Sequence, residues 1–226
     1  MQITWLGQSG LLFETDDKKI LVDPYLSDSV AKTEPHNHRR VAVDERFLKI
    51  DPDVIVITHA HADHLDKETL RYYLTEQSRV IALAPNGAWQ ELRKFGGEKN
   101  NYVLFNNGTT WTQDSVVFRA VKAEHSDENA IGVIISSNNK NYYVTGDTLY
   151  SERVFESLPE IPIEAVFLPV NGKGNNMNFA DAEKFFQRVG ARYIVPVHIG
   201  MFDDWKSENL RFNNKISLQI YKKITL

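Results

Sequence analysis

Three histidines and an aspartate fall within one short run, His59-Ala60-His61-Ala62-Asp63-His64, directly after the apolar stretch Val54 to Thr58. Imidazole nitrogens and carboxylate oxygens are the donors that borderline divalent ions accept, so this density at the exit of a strand points to a metal site. The chain has no cysteine. Any ion must therefore sit among nitrogen and oxygen donors, and neither a disulfide nor a thiol nucleophile is available. Neighbours in sequence cannot by themselves surround an ion. Three further donors, His125, Asp147 and His198, each come directly after a run that reads as a strand: Val116 to Ala123, Asn141 to Thr145 and Arg192 to Val197. Strand ends converge on one edge of a sheet, where loops gather residues remote in sequence.

The elements needed to position these groups are legible as short strands and intervening helices. Ile3 to Leu6, Leu11 to Thr15 and Lys19 to Val22 open the chain as a meander, broken at Gly7 to Gly10 and at Asp16-Asp17. Val54 to Thr58 is too short for a helix and nearly all apolar, as a strand covered on both faces must be. A helix is expected over Asp66 to Gln77, with Leu70, Tyr73 and Leu74 at helical spacing. A strand at Arg79 to Ala84 follows, then a helix capped by Asn86 and running to Phe95. The second half repeats the rhythm: strands at Val116 to Ala123, Ala130 to Ser136 and Asn141 to Thr145, a helix at Ser151 to Ser157, a strand at Ala165 to Val170, a helix at Ala180 to Val189 and a strand at Arg192 to Val197. The apolar helix face Phe179, Phe185, Phe186 reads as core. Two stretches lack periodicity, the polar Ser27 to Asp44 and the glycine- and asparagine-rich Asn171 to Asn178, and loops of this kind are often functional.

Composition bounds the rest. At 226 residues and 42% hydrophobic, the chain can bury a sizeable core, and it is expected to form a single domain over 1–226. A net charge of -4 provides no overall positive field to draw in nucleic acid or an anionic membrane. No run of about 18 apolar residues exists for a membrane span, and the first residues are neither a basic leader nor an apolar helix. The expectation is a soluble, cytoplasmic protein acting on a small molecule, anionic in one version, with homo-oligomers compatible with the pattern. His36 and His38, beside Arg39 and Arg40, read as a solvated loop.

The run His59 to His64, His125 in Glu-His-Ser-Asp, Asp147 in Thr-Gly-Asp-Thr and His198 in Pro-Val-His resemble the motifs of the metallo-β-lactamase superfamily, in that family's order and across nearly the whole chain. The resemblance implies an α/β fold, a four-layer αββα sandwich, with a binuclear site at one edge. It implies that His59, His61 and His125 hold one ion, that Asp63, His64 and His198 hold a second, and that Asp147 bridges them. The ions would be two divalent metals, zinc first, with manganese and iron as the other expectations. Flavodiiron reductases of the superfamily carry a glutamate where this chain has His61, and the stretch from Asp147 to His198 leaves no room for the inserted domain usual in the nucleases. The segments Trp5 to Gly10, Val22 to Leu26, Leu168 to Asn178 and Pro196 to Phe202 resemble the subgroup containing L-ascorbate 6-phosphate lactonase.

The expected chemistry is metal-assisted hydrolysis of an ester-like bond, most naturally a lactone, with or without a phosphate. Asp63 is the expected catalytic residue, binding an ion while orienting the attacking water and accepting its proton. A phosphate on the substrate would meet Asn171, Gly172, Lys173 and Asn176, and secondarily Arg39 and Arg40, because glycine lets backbone amides approach an anion. The competing classes are a metal-dependent phosphodiesterase or small nuclease, and a non-catalytic metal-binding protein.

Overall fold

The computed structural model describes residues 1–226. Two mixed sheets pack face to face. The first contains β1 (Gln2–Gly7), β2 (Gly10–Glu14), β3 (Lys19–Val22), β4 (Val54–Val56), β5 (Ile81–Ala84) and β6 (Asn101–Leu104), closed at its other edge by β13 (Lys223–Thr225) in the order β13-β1-β2-β3-β4-β5-β6. The second contains β7 (Thr110–Gln113), β8 (Val116–Lys122), β9 (Ile131–Ser137), β10 (Lys140–Val144), β11 (Ala165–Pro169) and β12 (Tyr193–Val197) in the order β12-β11-β10-β9-β8-β7.

Side-chain alternation explains why β4 has no polar face. Val54 and Val56 point into the core between the sheets, whereas Ile55 and Ile57 point outward under the helices α1 (Lys67–Tyr73) and α2 (Asn86–Phe95) with Leu70, Leu74, Ala88 and Leu92. Ile20 and Val22 of β3 likewise face the inter-sheet core while Leu21 faces the helices. Phe13 bridges the sheets by an edge-on contact with Phe167, ring centroids 5.4 Å apart. The short α3 (Glu152–Glu156) and α4 (Phe179–Val189) cover the second sheet through Val154, Ala182 and Phe185. The α4 boundaries follow from sequence: the Asn178 side chain accepts the Asp181 N–H at 3.0 Å, and Gly190 takes the left-handed conformation that ends the helix. Helix, sheet, sheet, helix is the expected four-layer arrangement.

Several expectations required revision. The first helix stops at Tyr73 rather than Gln77 because the Leu74 carbonyl turns to accept from Gly97 N. Asn86 lies inside α2, with Pro85 at the cap position, and its N–H donates to Asn106 Oδ1 at 3.0 Å. Strands β6, β7 and β13 were not anticipated. They are edge or near-edge strands carrying few buried side chains, so their alternation is faint. No helix is long and apolar enough to cross a membrane.

Candidate metal centre

Topology brings the predicted residues to one edge. Strands β3, β4, β5 and β6 run parallel, as do β10, β11 and β12; two antiparallel pairings make β1 co-directional with β3, and two more make β8 co-directional with β10. The carboxyl ends of β1, β3, β4, β8, β10, β11 and β12 therefore open at the same edge, and they deliver Gln8, Asp23, His59, His125, Asp147, Asn171 and His198.

All seven predicted donors meet there. His59, His61 and His125 present donor atoms within 4.8 Å of one another, as do Asp63, His64 and His198; a third group, His59, His64 and Asp147, is fully buried and joins the two. His125 Nε2 lies 3.2 Å from His61 Nδ1, His198 Nε2 lies 3.1 Å from Asp147 Oδ2 and 3.3 Å from Asp63 Oδ2, and His64 Nε2 lies 3.3 Å from Asp147 Oδ1.

The orientation of His64, His59 and His125 is fixed from behind. Asp23, fully buried, sets Oδ2 2.8 Å from His64 Nδ1, and it accepts the Thr58 hydroxyl on Oδ2 at 2.6 Å and the Thr58 N–H on Oδ1 at 2.8 Å. Thr58 Oγ1 lies 3.0 Å from His59 Nδ1, and Asn175 O lies 3.3 Å from His125 Nδ1. The opposite nitrogens, the Nε2 atoms, consequently face the cluster. Asn176 Nδ2 donates to Asp147 Oδ2 at 2.8 Å while Asn176 Oδ1 accepts the Thr148 N–H. Gln8 Nε2 donates to Asp63 Oδ2 at 2.8 Å, and Asn171 Nδ2 lies 3.1 Å from His198 Nδ1. Gly146 must be glycine: φ is +62°, and a Cβ would sit 2.8 Å from Ile131 O and 2.9 Å from Thr58 Cβ.

Electrostatics divides the cluster into two halves. Burial, with the nearby His64, keeps the His59 imidazole neutral well below the usual histidine range, and burial also lowers His125. On the other side burial opposes ionisation but is overcome. Asp147, Asp63 and Asp23 hold His64 protonated well above the usual range, and Asp147 and Asp63 push His198 up to about 10. Those imidazoliums in turn draw Asp63 and Asp147 below the ordinary carboxylate range.

The donor set fits a metal on a direct observation. His59 Nε2, His64 Nε2 and Asp147 Oδ1 are buried and none makes a hydrogen bond, His64 Nε2 and Asp147 Oδ1 only facing each other at 3.3 Å. Leaving each such group unsatisfied costs about 1–3 kcal/mol, and three such donors within 4.8 Å of one another suit a cation. With no sulfur among the donors, zinc, manganese and iron all suit the set.

Four of the seven donors, His61, Asp63, Asp147 and His198, line a cavity of about 450 Å³, also walled by Glu34, Ser126, Asn171, Lys173, Asn176 and Asp203. Asn171, Lys173 and Asn176 thus reach it as expected, although Asn176 is buried and holds Asp147. Arg39, Arg40 and Gly172 do not line it. Arg39 turns inward to Tyr25 O and the Tyr221 hydroxyl, Arg40 pairs with Asp204, and the Gly172 N–H is taken by Met177 O. Sequence reasoning missed Asp23 and Gln8 as site residues. An acidic side chain directly after the apolar Ile20 to Val22 was the available signal for Asp23; Gln8 offered none. His36 and His38 are exposed, His38 lying 3.3 Å from Pro35 O, and neither joins the donor groups.

Comparison with known proteins agrees with this geometry. The profile of the Beta-lactamase superfamily domain matches residues 2–198. A UPF0173 metal-dependent hydrolase of Pyrococcus furiosus is 30% identical over 212 residues, 88% of this chain and 84% of the relative. The chain belongs to the UPF0173 metal-dependent hydrolases of the metallo-β-lactamase superfamily. A member from Methanosarcina barkeri is 26% identical across 100% of this chain and 95% of its own length. Among solved structures, a possible metal-dependent hydrolase of Veillonella parvula shares the fold with a TM-score of 0.81 at 17% identity, covering 100% of this chain and 99% of that one.

Proposed function

We propose that this family member is a two-metal hydrolase of small ester-like carbonyl substrates, with lactones the preferred class. The observation that carries the reading is the convergence of the buried His59 Nε2, His64 Nε2 and Asp147 Oδ1, none of them in a hydrogen bond, between two groups of donors of which His61, Asp63, Asp147 and His198 open into one cavity. In this reading His59, His61 and His125 hold one divalent ion, Asp63, His64 and His198 the other, and Asp147 contributes to both. Ions bound there would polarise a carbonyl oxygen and make water acidic enough to ionise near neutral pH, its pKa falling from about 15.7 towards about 7.

The chain's own residues supply the rest. Gln8 fixes Asp63 through Oδ2, so the carboxylate can orient an attacking water and take its proton. Asp23, Thr58 and Asn176 hold ring and carboxylate orientation through the reaction, which keeps the donors from reorganising as charge develops. The walls around the donors suit a small molecule.

The test is metal analysis of the purified protein followed by turnover on a panel of γ- and δ-lactones beside bis(p-nitrophenyl) phosphate. Activity is measured as isolated, after chelation, and after return of zinc, manganese or iron. The expected result is two ions per chain and lactone hydrolysis that disappears with chelation and returns with metal. Turnover confined to the phosphodiester, or none with both ions bound, would overturn the reading.

A further inference from the structure

The groups that would receive a phosphate are already occupied. Arg39 donates through Nε to Val41 O at 3.2 Å, and its terminal nitrogens donate to Tyr25 O at 2.5 Å and the Tyr221 hydroxyl at 2.8 Å. In the glycine-rich loop, Gly172 N donates to Met177 O at 3.0 Å and Lys173 N donates to Asn171 Oδ1 at 3.1 Å, so two of the amides suited to an anion are spent inside the loop. Lys173 is the one lysine or arginine on the cavity wall.

The same wall carries two carboxylates besides the metal donors, Glu34 and Asp203. Each is anchored through one oxygen. Glu34 Oε2 accepts from Asn37 Nδ2 at 2.6 Å, and Asp203 Oδ1 accepts from Gly200 N at 2.7 Å and Trp205 N at 2.9 Å. The second oxygen of each has no protein donor. Arg40 lies off the wall and pairs with Asp204, so on the outer wall Glu34 and Asp203 stand against Lys173 and leave that end of the cavity acidic. Deeper in the same cavity lie Asp63, Asp147 and His198 of the donor cluster, where the reacting group would be held.

We infer that the substrates carry hydrogen-bond donors, hydroxyl or ammonium, on the end that remains outside the donor cluster, and that Glu34 and Asp203 select these over phosphorylated counterparts. The inference rests on the lactone reading of the site above and names its substrate class. A free carboxylate oxygen accepts a donor well, and it repels a dianion in a cleft walled by protein; one such repulsion at partly screened separation changes binding by about tenfold. Selection here works by rejection as much as by attraction.

The experiment uses the metal-loaded protein with D-glucono-δ-lactam and its 6-phosphate as non-hydrolysed probes in calorimetry, beside turnover of D-glucono-1,5-lactone and its 6-phosphate. The expected result is binding of the unphosphorylated lactam at least about tenfold tighter, a ratio that shrinks in the Glu34→Gln, Asp203→Asn double variant and inverts in Glu34→Lys. The Gln and Asn replacements keep the oxygens that accept from Asn37, Gly200 and Trp205, so the loops retain their anchors. Comparing α-amino-γ-butyrolactone with α-hydroxy-γ-butyrolactone separates ammonium from hydroxyl recognition, and weaker binding of both than of unsubstituted γ-butyrolactone would also overturn the inference. Tighter binding of the phosphate by the unaltered protein, a ratio that does not move in the variants, or binding of neither lactam would overturn the inference. Selective lactam binding without turnover of either lactone would refute the hydrolytic reading and leave the wall's selectivity standing.

Discussion

Replacing Asp23 by Asn should perturb the proposed metal centre without touching any of its seven proposed donors. Asp23 Oδ2 lies 2.8 Å from His64 Nδ1 and also accepts the Thr58 hydroxyl, whose oxygen in turn lies 3.0 Å from His59 Nδ1, so one carboxylate governs two rings. An amide of the same shape can still accept the Thr58 N–H on its oxygen, but it turns an NH2 toward groups that need an acceptor. A hydrogen bond to a charged group contributes about 1.5–3 kcal/mol. Removing the partner behind a metal-bound histidine typically lowers affinity about 10–100-fold, equivalent to about 1.4–2.8 kcal/mol. The expected outcome is a chain that folds, keeps one ion and loses the other during dialysis against a chelator of matched affinity. Metal content by mass spectrometry and titration against a chromophoric chelator give the stoichiometry and the two affinities, with circular dichroism to verify the fold. Asp23→Ala should be worse, because it leaves the buried donors with nothing to meet. Two ions held by Asp23→Asn at unaltered affinity would show that Asp23 does not orient His64.

Three further outcomes follow from the geometry. Asp63→Asn should leave the fold intact and reduce turnover by about 10²–10⁴ in protein shown to carry metal, and near-normal kcat would remove Asp63 from proton transfer. In metal-stripped protein His198 stays protonated up to about pH 10, so its contribution to folding is complete below the ordinary histidine value and is lost as pH rises through about 10; metal must displace that proton, hence affinity should climb with pH and calorimetry in buffers of different ionisation enthalpy should register proton release. Gly146→Ala forces a Cβ to within 2.8 Å of Ile131 O at a φ of +62°, which should cost about 1–3 kcal/mol, lower Tm by several degrees and weaken metal binding through the displaced Asp147; an unchanged melting curve would count against that account.

The parts of this molecule that could be read from sequence are those in which local pattern and burial agree. Val54 to Val56 and Ala165 to Pro169 are apolar throughout because both faces are covered, and the donors follow such strands directly, so the fold and the meeting of all seven groups were visible together. Strand β7, with only Trp111 as a large apolar residue, was invisible because an edge strand buries little and pairs on one side. Arg39 was misplaced for a related reason: a cation in a polar loop looks the same in sequence whether it awaits a ligand or, as here, donates to Val41, Tyr25 and Tyr221. Asn176 was placed at the site but given the wrong neighbour, since nothing in a run of asparagines says which one folds back onto Asp147.

Gln8 and Asp23, together with the donor His198, show why the aim of side chains at the sheet edge is hard to read. All three are non-glycine residues with positive φ, at 51°, 44° and 61°, a conformation that costs each of them on the order of 1 kcal/mol or more. Each leaves a strand of one common direction, and the left-handed step turns its side chain across the sheet edge instead of continuing the pleat. The step is held by fixed partners: Gln8 O accepts both Trp5 Nε1 and His198 N at 2.9 Å, and Asp23 N donates to Val56 O at 3.0 Å. Sequence propensity favours none of these conformations, so the information for them lies in the packed strands on either side. Strain and partnerless donors thus gather at the same edge. The well-packed sheets beneath supply the stability that allows both, and a glycine at any of the three positions would relieve the strain while deleting the group that the strain exists to aim.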